Sequence, residues 1–229
     1  FMPFVEIPPL VVTEGKGNEI LKLARLRDAP TEEIQIELGR FVDDYADWIE
    51  KIRSTPVAGG IQAEGARARI LGRLDEALSR MRDGVSVLSD PLVEKSFRLA
   101  QKAMILQIEH SDGSLGGEVR DLKDAKPMPD MELYGESDAT WRPFQLGYIL
   151  TCLPSIVDSE NEHRRTVDLI WAATGAGKTE AYLALAAIAI IHRRLTKGPK
   201  SGGSTVITRY TLRLLTAQQF ERTSRLVCA

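Results

Sequence analysis

The run Ala172-Ala173-Thr174-Gly175-Ala176-Gly177-Lys178-Thr179-Glu180 constrains this chain more than any other feature. It reads A-x-x-G-x-G-K-T, with Ala172 where the strict pattern has glycine. An apolar, β-like segment precedes it at 166–171, and an alanine-rich helical pattern follows from Thr179. Strand, loop and helix in that order are the context in which such a run becomes a phosphate-binding loop. Small residues at 175–177 let successive backbone N–H groups turn toward one point and approach phosphate oxygens. The helix that opens there adds partial positive charge at its N-terminus.

On this reading Thr174, Gly175, Ala176, Gly177, Lys178, Thr179 and Glu180 form the cofactor-binding loop of a nucleoside triphosphate. Lys178 reaches the β- and γ-phosphates as a point charge. The Thr179 hydroxyl sits on Mg²⁺, which takes few protein ligands and completes its shell with phosphate oxygens and water. Lys178 and Thr179 are the candidate catalytic pair. The plainer alternative is a glycine-rich turn ahead of a buried helix.

The rest of the composition narrows the class. The fractions of apolar and charged residues, 43% and 27%, are ordinary for a globular protein. Cys152 and Cys228 have no metal spacing and no disulfide framework, which favours reduced thiols and a cytoplasmic setting. His110, His163 and His192 are scattered and form no ligand pattern. The longest apolar run, 181–191, falls well short of the roughly 20 residues of a membrane span. Charge is uneven: residues 181–229 carry eight Lys or Arg and one acid, Glu221. That asymmetry points to an anionic partner or to a solvated basic face.

Four stretches follow along the chain. Residues 1–30 read as an extended entry segment with a short helix near 20–26. Residues 31–110 read as a helical domain of three helices. The first is capped by Thr31 and carries the stripe Ile34, Leu38, Phe41, Tyr45, Trp48 and Ile52. The second, 62–82, has Ile70, Leu74, Ala77, Leu78 and Met81 on one face and stops at Gly84. The third starts at Asp90-Pro91 and carries Val93, Phe97, Ala100, Met104 and Ile108. Residues 111–140, rich in Asp, Gly, Pro and Ser, read as a linker or long loop. Residues 141–229 alternate helix, strand 166–171, loop, helix 178–195, strand 204–210 and helix 211–227. That order predicts an α/β fold with the first part of a parallel sheet. Two strands do not make a covered parallel sheet, so the reading also expects a longer polypeptide.

Three segments in order carry a family resemblance. Trp141-Arg142-Pro143-Phe144-Gln145 lies upstream of the loop, and Thr205 to Gln218 downstream ends in R-x-L-x-x-Q from Arg213 to Gln218. With the loop between them, they resemble the superfamily-two helicases and translocases. The resemblance implies a RecA-like domain, ATP and Mg²⁺ as cofactors, and adenine contacts from Gln145 with Arg142 and Phe144 nearby. It implies that Arg209, Arg213 and Gln218 lie along a nucleic acid strand, with DNA as partner. Tyr210 stands where that family usually has proline.

The segments Phe97–Met104, Arg142–Gln145, Gly177–Leu183 and Arg209–Phe220 also resemble the helicase-subunit family of the DISARM anti-phage systems. That implies a second, DrmB-like subunit as partner. The parts that complete an ATPase, an acidic pair for Mg²⁺ and arginine fingers, have no counterpart after Thr179, so these residues alone are expected to turn over ATP negligibly. Two other classes remain open: a P-loop ATPase indifferent to nucleic acid, and a partner-binding module built on the helical domain.

Overall fold

A computed structural model describes residues 18–57, 60–111, 137–172, 175–209 and 215–229. Its elements are helices: α1 (Leu23–Asp28), α2 (Thr31–Ser54), α3 (Gly60–Ser86), α4 (Pro91–Ser111), α5 (Pro143–Val157), α6 (Lys178–Lys197) and α7 (Leu215–Cys228). Short 3-10 turns lie at Glu19–Leu21, Val87–Ser89, Glu162–Arg165 and Gly198–Lys200.

Local chemistry explains the boundaries. Pro30 sets an extended φ just ahead of α2, Glu32 and Glu33 sit in its first turn, and Lys51 and Arg53 in its last. That distribution complements the helix dipole. Thr31 is inside the helix rather than capping it, and its hydroxyl donates to Glu94 of α4 instead. Asp90 caps α4, with its carboxylate accepting from the N–H groups of Leu92 and Val93. α4 buries Val93, Phe97, Ala100 and Met104, the stripe its periodicity predicts. α2 buries Ile34, Leu38, Val42 and Ile49. Its aromatic residues lie on the flank, where Tyr45 stacks on Trp48 with ring centroids 5.6 Å apart.

α3 packs on α2 and α5, α4 packs on α1, α6 and α7, and α6 also packs on α5 and α7. One cluster of buried apolar side chains runs from Ile20 to Leu226 through these helices. α6 contributes Leu183, Ala184, Ala187 and Ile188 to it. Residues 112–136 of the expected linker lie outside the described residues. α4, which precedes that stretch, and α5, which follows it, both pack on α6.

The expected α/β fold with a parallel sheet is not what forms. Among the described residues there is no strand; the one β pairing is an isolated antiparallel bridge between Lys22 and Thr140. Leu23 N–H donates to Ala139 O and Trp141 N–H to Leu21 O around it. Residues 166–171 alternate as a strand would, yet Val167, Leu169 and Trp171 are 92%, 81% and 75% exposed. A strand is stabilised by ladder partners, and here helices fill the core in their place. The second expected strand, 204–210, is likewise unpaired over 204–209, with Ile207 exposed. The Ser204 carbonyl accepts from the Arg193 guanidinium. No helix among the described residues is long and apolar enough to cross a membrane.

Gly84, expected to end α3, lies inside it. It sits where α3 crosses α5: a Cβ there would stand 2.1 Å from Leu150 O and 2.7 Å from Leu150 C. Backbone cannot yield to that contact, so the crossing needs glycine. Gly72 of the same helix has open space around its Cβ position. Gly84→Ala is expected to destabilise the chain by about 1–3 kcal/mol. Gly72→Ala is expected to stabilise it by about 0.5–1 kcal/mol through helix propensity. Thermal melts of the two variants beside wild type check both signs.

Candidate functional site

The phosphate-loop sequence is organised by α6 and α5. Gly175 and Gly177 have φ values of 81° and 86°, in the left-handed region that glycine alone enters freely. Gly177 occupies the cap position of α6, so the orphan N–H groups of a 20-residue helix open beside Lys178. Ala176 is buried. Lys178 Nζ donates to the Ala172 carbonyl at 2.6 Å, which closes the loop on itself. Thr174 lies outside the described residues.

α5 grips this loop from the other side. Pro143 takes its first turn, and Arg142 N–H donates to Gln145 Oε1 at 2.7 Å, the reaching-back half of a capping box. The other end of the Gln145 amide, Nε2, donates to Gly177 O at 2.6 Å. The Arg142 guanidinium donates to Ala176 O at 2.8 Å. The family resemblance implies adenine contacts for these residues; the structure brings Gln145 and Arg142 into direct contact with the loop backbone.

A cavity of about 640 Å³ opens beside the loop, and no residue of α5 lines it. Gly175, Gly177, Lys178, Thr179 and Glu180 line one wall, and Gln218, Gln219, Glu221, Arg222 and Arg225 of α7 the other. Arg222 pairs with Glu180 at 3.1 Å across it, and Arg225 pairs with Glu221 along α7. Gln218 therefore faces the loop cavity. Arg209 is exposed on the segment after α6, and Arg213 lies outside the described residues. Arg142, Phe144 and Gln145 do not line the cavity. Among the described residues no cluster of three or more His, Cys, Asp or Glu side chains could hold a metal ion. Arg222 and Arg225 were not singled out from the sequence. The loop and α7 are distant in the chain, and the basic excess after residue 181 was the one signal that covered them.

The segment leading into the loop is anchored by a buried ion pair that sequence patterning did not show. Arg80 of α3 makes two parallel hydrogen bonds to Asp168, at 2.6 and 2.8 Å. Arg80 is buried, and the Asp168 side chain is 21% exposed. The Arg80 hydrogen bonds hold the Asp168 carboxyl below the usual carboxylate range, against the opposing effect of burial. Cys152 Sγ lies 3.5 Å from Asp168 Oδ2, and burial first, then the Asp168 charge, push its thiol up to about 12. Tyr148, beside it on α5, is also pushed up by burial. Nearby, Trp141 Nε1 donates to buried Gln101 of α4 at 2.7 Å, fixing the entry into α5.

Asp168→Ala leaves Arg80 buried without its partner and is expected to cost about 2–3 kcal/mol, less than a fully enclosed pair because the carboxylate keeps contact with water. Asp168 has a depressed folded pKa. Its contribution is fully present above the unfolded value near pH 4 and is lost as pH falls through the folded value. Denaturant titrations from pH 7 to pH 2.5 should therefore show a smaller acid-induced loss of stability in Asp168→Ala than in wild type. Iodoacetamide at pH 8 should alkylate exposed Cys228 and spare buried Cys152 until the chain unfolds. Mass spectrometry of the labelled peptides reads the ratio.

No protein-family model matches the chain. A curated protein, the DISARM protein DrmA of Bacillus paralicheniformis, is 34% identical over 198 residues. The match takes in 84% of this chain and 17% of that protein, so the chain spans about a sixth of its relative's length. On this similarity the chain is related to the DISARM protein DrmA.

Proposed function

We propose that this chain is the nucleotide-binding part of an ATP-dependent nucleic acid helicase or translocase that works in DISARM-type anti-phage defence. The observation that carries the reading is the pair of positive-φ glycines, Gly175 and Gly177, at the start of α6, facing a cavity shared with Lys178, Thr179, Arg222 and Arg225. Backbone N–H groups, a helix N-terminus and three cationic side chains suit a polyphosphate. The relation to DrmA supports the biological setting.

The donor set fits Mg·ATP. Gly175 and Gly177 keep the loop open to phosphate oxygens, and Lys178 exchanges the Ala172 carbonyl for phosphate. Thr179 offers its hydroxyl to the metal. Mg²⁺ held there would neutralise charge on the phosphate oxygens. Arg222 and Arg225 exchange their carboxylate partners for phosphate from the α7 side. Binding rather than turnover is the activity assigned to these 229 residues. DNA and a DrmB-like subunit belong to the same proposal. Exposed Arg209, with the basic residues at the end of α6, supplies a surface for a nucleic acid backbone.

Titration of the chain with a fluorescent ATP analogue in the presence of Mg²⁺ tests the reading. Wild type should bind saturably. Lys178→Ala should weaken binding by at least about tenfold, the loss of one charge-assisted contact. No binding by wild type would leave a helical partner-binding module as the better account.

A further inference from the structure

We infer that Gln145 and Arg142 are positioning residues that aim the backbone N–H groups of the phosphate loop. This rests on the nucleotide reading above. Gln145 Nε2 holds the carbonyl of Gly177, and Arg142 holds the carbonyl of Ala176. These are consecutive peptide groups. In a trans peptide the N–H points opposite to the C=O. Tying both carbonyls to α5 therefore turns the N–H groups of Gly177 and Lys178 away from α5. Gly177 and Lys178 both line the cavity, and no residue of α5 does. The hydrogen bonds thus set the direction of the two donors a phosphate would meet first.

Three further observations fit this role. Gln145 is 4% exposed and both polar atoms of its amide are engaged, Oε1 by Arg142 N–H and Nε2 by Gly177 O. The cavity lining omits it. A Cβ at position 177 would come within 2.5 Å of Gln145 Nε2, so glycine there serves the close grip as well as the positive φ. The same amide caps α5, so the loop and the helix are fixed by one side chain.

Binding of Mg²⁺ complexes of ATP, GTP and inorganic tripolyphosphate to wild type, Gln145→Ala and Arg142→Ala tests the role. Positioning predicts that each variant weakens all three ligands by a similar factor, about tenfold for Gln145→Ala. Tripolyphosphate is the decisive arm, because it has no base to read. Loss confined to ATP would overturn the inference in favour of base recognition, and unchanged affinity for all three would overturn it outright. Arg142 is exposed. Arg142→Ala therefore keeps the test valid if Gln145→Ala lowers the melting temperature. Failure of wild type to bind tripolyphosphate or either nucleotide would remove the nucleotide reading itself, an outcome distinct from the others.

Discussion

The hydrogen bonds from the start of α5 to the carbonyls of Ala176 and Gly177 are the contacts on which the site depends. A glycine-rich loop is conformationally loose in isolation, because each glycine loses more backbone entropy on ordering than any other residue. Here two side chains from a packed helix hold consecutive peptide groups, and the start of α6 follows at once. The peptide groups of Ala176 and Gly177 are thus held from the protein side, and Gly177 and Lys178 line the cavity. Preorganisation of this kind lowers the cost of binding an anion.

That arrangement requires α5 itself to be fixed. Gly84 lets α3 approach the backbone of Leu150 closely, and Trp141 reaches into the core to Gln101. Arg80 then ties the segment ahead of the loop back onto α3 through Asp168. The polar links lie beside apolar packing, with Leu146, Ile149, Leu150 and Leu153 fully buried on α5. A charged pair in this position adds register more than net stability, since desolvation offsets much of its attraction.

Much of this was legible from local pattern. The start of α6 at Lys178, the Asp90 cap and the Val93–Met104 stripe of α4 are short-range features, and local rules describe them well. The sheet was misjudged because residues 166–171 and 204–209 have strand-like alternation, while strand formation depends on partners elsewhere in space. Val167, Leu169, Trp171 and Ile207 remain exposed where a sheet would have buried them. The Arg80–Asp168 pair joins residues 88 apart, and Gly84 meets Leu150 across a helix crossing. No single-sequence pattern marks such contacts. The placement of α7 against the loop, which brings Arg222 and Gln218 to the cavity, is of the same kind.

The central claim is that the loop presents oriented N–H donors to a polyphosphate. Site-resolved amide NMR of the chain, titrated with Mg²⁺ and ATP, tests it most directly. The account predicts that the amides of Gly175, Gly177 and Lys178 show the largest shifts and gain exchange protection, with smaller changes along the α7 face. Shifts that leave those three amides untouched, or that cluster elsewhere on the helices, would contradict it.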